Sequence, residues 1–373
     1  MIAALLAAAA VSVACDLERP SGQLGCTRAA VDALPMNAIQ VIGTHNSYKL
    51  AIAPNEWAMI HAANAREAEA IDYGKPPLMI QLEQGARQLE IDVVYDPDVG
   101  LYSQPMGYRN AGKAAVPYDF APLKTPGLKV IHEPSVDYRS VCPLFTGCLA
   151  EIRAWSRAHR DHVPILIIMN LKEGGLKLPG ATIAPLFDAK AMNQIDAEIR
   201  SVFPEAALIT PDQVQGKYPT LRQAAAAGAW PRLKAARGRV MFALDCPPDQ
   251  VARYREGRKA LEGRAAFVNT DVGSPAAGYI TLNEIPADAP QIAAAVKAGL
   301  IVRTRADADT WEARRNDRSR QVAAFASGAQ YVSTDYLTPD TRLSSYTAAL
   351  PGGGRARLSP VQPIRGLRKQ APP

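Results

Sequence analysis

The sequence predicts an α/β fold, a closed (β/α)8 (TIM) barrel. Three observations predict it. Short runs rich in Val, Ile, Leu and Phe recur eight times, helix-like runs separate most of them, and polar side chains gather where several of the apolar runs end. Apolar strands alternating with helices argue a parallel sheet buried on both faces. Eight such units close a barrel more readily than they extend an open sheet.

The strands follow in order. IQVIG (39–43) comes first, then RQLEIDVV (87–94), LKVI (128–131) and PILIIMN (164–170). GRVMFALD (238–245), AAFVN (265–269), LIVRTR (300–305) and AQYVS (329–333) complete the set. Helical patterns are read over 144–160, 190–203, 249–263, 289–299 and 310–328, where apolar residues recur at helical spacing between polar ones. Connections 44–75 and 95–128 are long. Long loops after barrel strands build the rim of an active site. No internal repeat or linker interrupts the pattern, so residues 15–350 read as a single barrel domain.

Outside that domain the chain has two distinctive ends. Residues 1–14, MIAALLAAAAVSVA, are apolar and small, too short to span a bilayer, and read as a signal peptide cut before Cys15. A secreted, periplasmic or cell-envelope protein follows, with lipid attachment at Cys15 as the second reading. Residues 351–373 are basic and read as a disordered tail. The formal net charge of +6 owes much to that tail. It favours anionic surfaces without implying nucleic acid. No later run is apolar and long enough for a transmembrane segment, and nothing points beyond a monomer. Five cysteines in an exported chain suit disulfides, with Cys142–Cys148 and Cys15–Cys26 the pairs read first and Cys246 left free. If Cys15 carries a lipid, Cys26 with Cys246 becomes the alternative.

Chemistry in this fold collects at the C-terminal ends of the strands. His45 and Asn46 follow the first strand. Glu90 and Asp92 lie two apart on the second and so share a face. His132 follows the third. Asn170 and Lys172 end the fourth, and Arg303 and Arg305 alternate on the seventh. Asp245, Asn269, Asp271 and Asp335 also stand at strand ends and read as rim or capping residues. The plain alternative for Glu90 and Asp92 is an ion network with the two arginines; for either histidine it is a core imidazole bonded to backbone. Two of five histidines directly following barrel strands favours function. His61, His159 and His162 read as structural, the last two near a helix C-terminus where a cation is favourable.

Asn46, Glu90 and Asp92 form an all-oxygen set suited to a hard cation, Ca²⁺ or alternatively Mg²⁺. Two imidazoles beside it fit in-line displacement at phosphorus, one taking a proton and the other protonating the leaving oxygen. Arg303, Arg305 and Lys172 suit anion binding.

IQVIGTHNSYK, PLMIQLEQGARQLEIDVVYD, and KVIHEPSVDYRS running on to PILIIMNLK together resemble the Ca²⁺-dependent phosphoinositide-specific phospholipase C family of secreted microbial proteins. VRTRADADTWEARRNDRSRQVAAFASGAQYVSTDY looks like that family's last two barrel units, and the likeness covers most of residues 38–337. It implies a PLC-like phosphodiesterase barrel, with Asn46, Glu90 and Asp92 as calcium ligands and His45 at the phosphoryl group. It further implies His132 as general acid for a diacylglycerol leaving group, a carboxylate of the metal shell as base, and attack by the inositol 2-hydroxyl to give a cyclic diester. The chain departs from the family at Asn170, where related enzymes tend to carry a Glu ligand. Asn170 can still give a carbonyl oxygen as a fourth metal ligand, but the shell is then one carboxylate short and binds its cation more weakly.

A related barrel, the glycerophosphodiester phosphodiesterase, would usually show an Arg-Gly pair after its first histidine; Asn46 and Ser47 stand there instead. Two alternatives remain: an enzyme of this chemistry on soluble diesters, which would lack an apolar rim, and a head-group binding protein with weakened turnover. Ile52, Trp57, Met59 and Ile60 are the first rim candidates for contact with a membrane surface; a packed loop helix is the equal alternative.

Overall fold

In a computed structural model of the chain, residues 15–361 are described. The signal reading of 1–14 and the end of the tail fall outside them. Ten strands run in chain order: β1 (Ile39–Thr44), β2 (Gln88–Val94), β3 (Lys129–Val130), β4 (Ile165–Lys172), β5 (Val240–Leu244), β6 (Ala266–Val268), β7 (Tyr279–Thr281), β8 (Ile301–Arg305), β9 (Tyr331–Thr334) and β10 (Arg357–Leu358). Parallel ladders join β9–β1, β8–β9 and β7–β8 in one arc and β2–β4, β4–β5 and β5–β6 in the other.

Two lighter joints bring the arcs into the barrel. Between β6 and β7 it is the parallel bridge Asn269↔Tyr279. Between β1 and β2 the Arg87 amide donates to the Ile42 carbonyl (2.8 Å), and the Ser47 amide to the Glu90 carbonyl (2.9 Å). Gly43 permits that approach: a Cβ there would lie 2.7 Å from the Gln88 carbonyl oxygen. The ring order is therefore β1-β2-β4-β5-β6-β7-β8-β9, eight strands as expected.

One member of the ring differs from expectation. The LKVI run forms only the two-residue β3, antiparallel to β2 (Val93↔Val130), so it lies outside the ring. The eighth place is taken by β7, three residues entering from Gly278. Three residues are too few for a periodicity signal, while LKVI is apolar for a different reason: Val130 joins the main core and Ile131 packs with Tyr102 and Leu123 under the long loop after β2.

The outer helices are close to those expected. Phe145–Ala158, Ala189–Val202 and Ala289–Lys297 match the sequence reading to within a few residues. The 249–263 helix stops at Arg255, where Glu256 turns left-handed (φ +50°). The 310–328 helix breaks into Trp311–Arg315 and Ser319–Ala326, because Asn316 caps the first piece at φ +52° and the Asp317 carboxylate accepts from the Ser319 amide. Asn tolerates that conformation better than most residues.

Residues 357–359, within the stretch expected as tail from residue 351, pack against the barrel. Leu358 pairs antiparallel with Ile39, Arg357 donates to Gln40 Oε1, and Ser359 is buried. The N-terminal segment meets this edge, with the Leu17 amide donating to the Ala356 carbonyl. It is anchored by the buried Glu18–Arg87 pair at 2.5 Å. Cys15–Cys26 and Cys142–Cys148 form disulfides and Cys246 is a buried thiol. That bond consumes the Cys15 sulfur, so the lipid-anchor reading and the Cys26–Cys246 alternative both fall. Among the described residues no helix is long and apolar enough to cross a membrane.

Candidate active site

β2 supplies the floor of the site. Its alternation sends Gln88, Glu90 and Asp92 to one face and Leu89, Ile91 and Val93 to the other. The polar face meets the neighbouring β4, where Asp92 and Asn170 are register partners, and β8 from across the mouth. Asn170 Nδ2 donates to Glu90 Oε1 (2.9 Å) and to Asp92 Oδ1 (3.0 Å). Arg303 Nη2 donates to Glu90 Oε2 at 2.5 Å, and Lys172 Nζ stands 2.9 Å from Asp92 Oδ2. The plain reading of Glu90 and Arg303 as an ion pair is thus part of the truth. Burial opposes the charge on Asp92, but Lys172, His132 and the Asn170 amide together hold the carboxyl below its ordinary range.

His45 stands 3.7 Å from Glu90 through Nε2. Its Nδ1 lies 3.1 Å from Asp335 Oδ1. A carboxylate can only accept, so Nδ1 carries the proton and Nε2 is the free acceptor. Arg305 Nη2 is 3.3 Å from both that Nδ1 and Asp335 Oδ2. Two donors do not bond one another, so Arg305 belongs to the carboxylate. Burial, seconded by Arg305, holds His45 below the usual imidazole value against the pull of Asp335 and Glu90. His45 is therefore neutral at neutral pH. Asp335 is anchored by Lys75 (2.8 Å) and its backbone amide donates to Asp307 (2.7 Å). Burial and the Asp335 charge push Asp307 up to about 6. Burial also works against ionised Asp335, yet Lys75, His45 and Arg305 together keep it far below the carboxylate range.

His132 repeats the arrangement from another loop. Its Nδ1 is 2.8 Å from Asp137 Oδ2, and Lys49 Nζ lies 3.4 Å from the same oxygen. Asp137 is held low, burial again opposing and Lys49 then His132 prevailing. The Glu133↔Asp137 bridge folds the segment back so that the aspartate reaches the ring. His132 is 22% exposed at its side chain, against 15% for His45.

Most of the expected residues converge: His45, Glu90, Asp92, His132, Asn170, Lys172, Arg303 and Arg305 share one mouth. Asn46 does not join the carboxylates by any side-chain bond. It sits at φ +42° and donates from Nδ2 to Tyr73 (2.8 Å). Arg303 is buried and spent on Glu90, so it is not free to meet an anion. Asp137 and Lys75 are residues of this mouth that the sequence reading missed, and Asp335 it placed on the rim. The signal for Asp335 was its position straight after β9, beside β1; Asp137 had only its place five residues after a strand-end histidine. His159 and His162 are structural, as expected: His162 sits between Ser156 and the Val163 carbonyl, and His159 stacks on Trp155.

The expected cation cage, Asn46, Glu90, Asp92 and Asn170 around Ca²⁺ or Mg²⁺, is not what these contacts make. Three of the four oxygens of Glu90 and Asp92 accept hydrogen bonds from Asn170 or Arg303, and the fourth, Asp92 Oδ2, accepts none but lies 2.9 Å from the Lys172 ammonium. Asn170 turns its donor, not its oxygen, toward both. Among the described residues no three His, Cys, Asp or Glu side chains converge as metal ligands. The physical reason is the pair of cations on strand-end positions, Lys172 and Arg303, which neutralise the carboxylates from inside.

Residues 34–360 match the family described as phosphoinositide phospholipase C, Ca²⁺-dependent. No curated protein sequence matches the chain. Among solved structures, the calcium-dependent phosphoinositol-specific phospholipase C from Pseudomonas sp. superposes with a TM-score of 0.53 at 16% identity, covering 87% of this chain and 96% of that one. The Ca²⁺-dependent phosphatidylinositol-specific phospholipase C from Streptomyces antibioticus gives 0.52 at 17%, covering 82% and 96%. At those identities they speak for a shared barrel fold.

Proposed function

The chain belongs to the Ca²⁺-dependent phosphoinositide phospholipase C family, phosphoric diester hydrolases, and from that premise we propose that it cleaves the glycerol-side P–O bond of phosphatidylinositol. Two His–Asp pairs at one barrel mouth carry the reading. His45 Nε2 takes the proton of the inositol 2-hydroxyl, whose oxygen attacks phosphorus. His132, protonated, gives its Nε2 proton to the departing diacylglycerol oxygen, and a cyclic inositol phosphate remains. The expectation of a carboxylate base gives way here, since Glu90 and Asp92 are engaged by Arg303, Asn170 and Lys172, whereas His45 is neutral with its tautomer set by Asp335. Lys172 and Arg305 offset charge on the phosphoryl oxygens.

A lipid substrate is favoured over a soluble diester by the rim. Leu178, Ile183 and Leu186 on the loop after β4 are 55%, 54% and 64% exposed, and this loop is tied to the one after β2 by Arg109 donating to the Gly180 carbonyl. Of the earlier rim candidates, Met59 is 38% exposed while the Trp57 indole donates to the Ala68 carbonyl. The apolar edge therefore sits chiefly after β4. This rim suits a monomer working at a lipid surface on an exported face of the cell, with residues 1–14 as signal and 15–350 as the catalytic barrel.

The test is phosphorus NMR of products from phosphatidylinositol vesicles. A cyclic inositol phosphate is expected. Leu178→Asp with Ile183→Asp and Leu186→Asp should lower turnover on vesicles about tenfold and leave a soluble inositol phosphodiester unaffected. Equal loss on both substrates, or a strong preference for glycerophosphoinositol, would count for the soluble-diester reading instead.

A further inference from the structure

We propose that Lys172 and Arg303, bridged by Asn170, serve as a built-in cation at Glu90 and Asp92, so that this chain neither binds Ca²⁺ there nor needs it for turnover. This rests on the phosphodiesterase reading of the same mouth.

Among the four groups in direct contact the formal charges already close; Asp245, 3.9 Å from Arg303, is a further carboxylate whose charge burial opposes. Glu90 and Asp92 supply two negative charges; Lys172 at 2.9 Å and Arg303 at 2.5 Å supply two positive ones. A divalent ion would enter beside an ammonium and a guanidinium in a buried setting, where like charges repel strongly. To ligate it, Asn170 would have to reverse its amide and withdraw Nδ2 from both carboxylates at once. The amide oxygen offered in return is neutral, so the net ligand charge would not rise. Hard-cation affinity follows ligand charge and count.

The two cations divide the work. Arg303 is 2% exposed at its side chain and is held among protein groups, Glu90 at 2.5 Å, Asn283 at 3.0 Å and Asp245 at 3.9 Å, so it is not free to meet substrate. Lys172 is 35% exposed and pairs with Asp92 by charge at 2.9 Å, while Asp92 Oδ2 accepts no hydrogen bond, so the ammonium's three donors can turn to a phosphoryl oxygen. Lys172 thereby takes the charge-offsetting duty of a metal at phosphorus.

The test uses the purified full chain with disulfides intact. Calcium chloride is titrated in by calorimetry, melting is followed with Ca²⁺ and with EDTA, and turnover of a soluble inositol phosphodiester is measured in both. Silent titration, an unmoved Tm and equal turnover in EDTA are expected. Asn170→Glu adds the missing carboxylate and should acquire a calcium heat and a Ca²⁺-dependent rise in Tm. Lys172→Met should lose about 100-fold in EDTA, the scale of one charge-stabilising donor. Calcium binding by the wild-type chain, or turnover abolished by EDTA and restored by Ca²⁺, overturns the inference, whether or not Asn170→Glu folds. Silent titration without turnover of any diester sinks the functional reading and leaves the cation pair standing on its binding result.

Discussion

The two histidines present the same bond and different surroundings. His45 and His132 each set Nδ1 against a buried aspartate, at 3.1 and 2.8 Å. Behind His45 stand Lys75 and Arg305, and the pair is closed in by the barrel wall through β1 and β9. Behind His132 stands Lys49 alone, on a loop folded against the outside of β2. The enclosed imidazole is kept neutral and suits a base that must accept from an ordered head-group hydroxyl. The more open one suits an acid that meets a lipid leaving group near the rim. The difference teaches that an aspartate behind a histidine fixes tautomer and orientation, while the surrounding charge and burial set which direction the proton moves.

Leaving-group chemistry is the sharpest way to break that division. His45→Ala and His132→Ala should each cost about 10³–10⁴ in kcat on phosphatidylinositol, the usual range for general acid–base groups. On an inositol p-nitrophenyl phosphodiester, whose phenolate departs without help, His132→Ala should recover most of its loss and His45→Ala should not. Recovery in the other variant would exchange the two roles.

A smaller effect is expected behind the rings. Asp335→Asn leaves the geometry but offers an amide to Nδ1, favouring the wrong tautomer. About a 100-fold loss in kcat is expected, and about tenfold for Asp137→Asn, where the more exposed ring can turn and water can substitute. Circular dichroism and Tm identify any variant that merely unfolds. Similar losses at both positions would remove the contrast.

How far this contrast was legible in the sequence depends on where the information lies. His45, Glu90, Asp92 and Asn170 could be read because a strand's two-residue period and its C-terminal end are local facts. Seven of the eight ring strands were legible for the same reason. β7 was not, being three residues long, and β3 mimicked a barrel strand because it too is buried. Partners were the harder part. Asp335 lies 290 residues from His45, and only the β1–β9 ladder makes them neighbours. The direction of the Asn170 amide was beyond sequence altogether: the same residue type gives an oxygen to a metal or a donor to carboxylates, and Lys172 and Arg303 decide which.

The finest test of the contrast moves charge without touching either ring. Arg305 is the second cause, after burial, that holds His45 low. Arg305→Gln removes a cation beside the imidazole, so its protonated form becomes less costly and its pKa rises. A base is lost when protonated, so the acid limb of kcat/KM belongs to His45 and should shift upward in pH. Burial still acts, so the shift should be below about one pH unit, and Asp335, relieved of one cation, pulls in the same direction. The wild-type acid limb itself should lie below the ordinary imidazole value of about 6.5. Lys49, the cation behind His132, stands against Asp137 rather than in the barrel wall, so Lys49→Met should leave the acid limb in place. If the acid limb follows Lys49 and ignores Arg305, then His132 is the base and the enclosed ring is the acid.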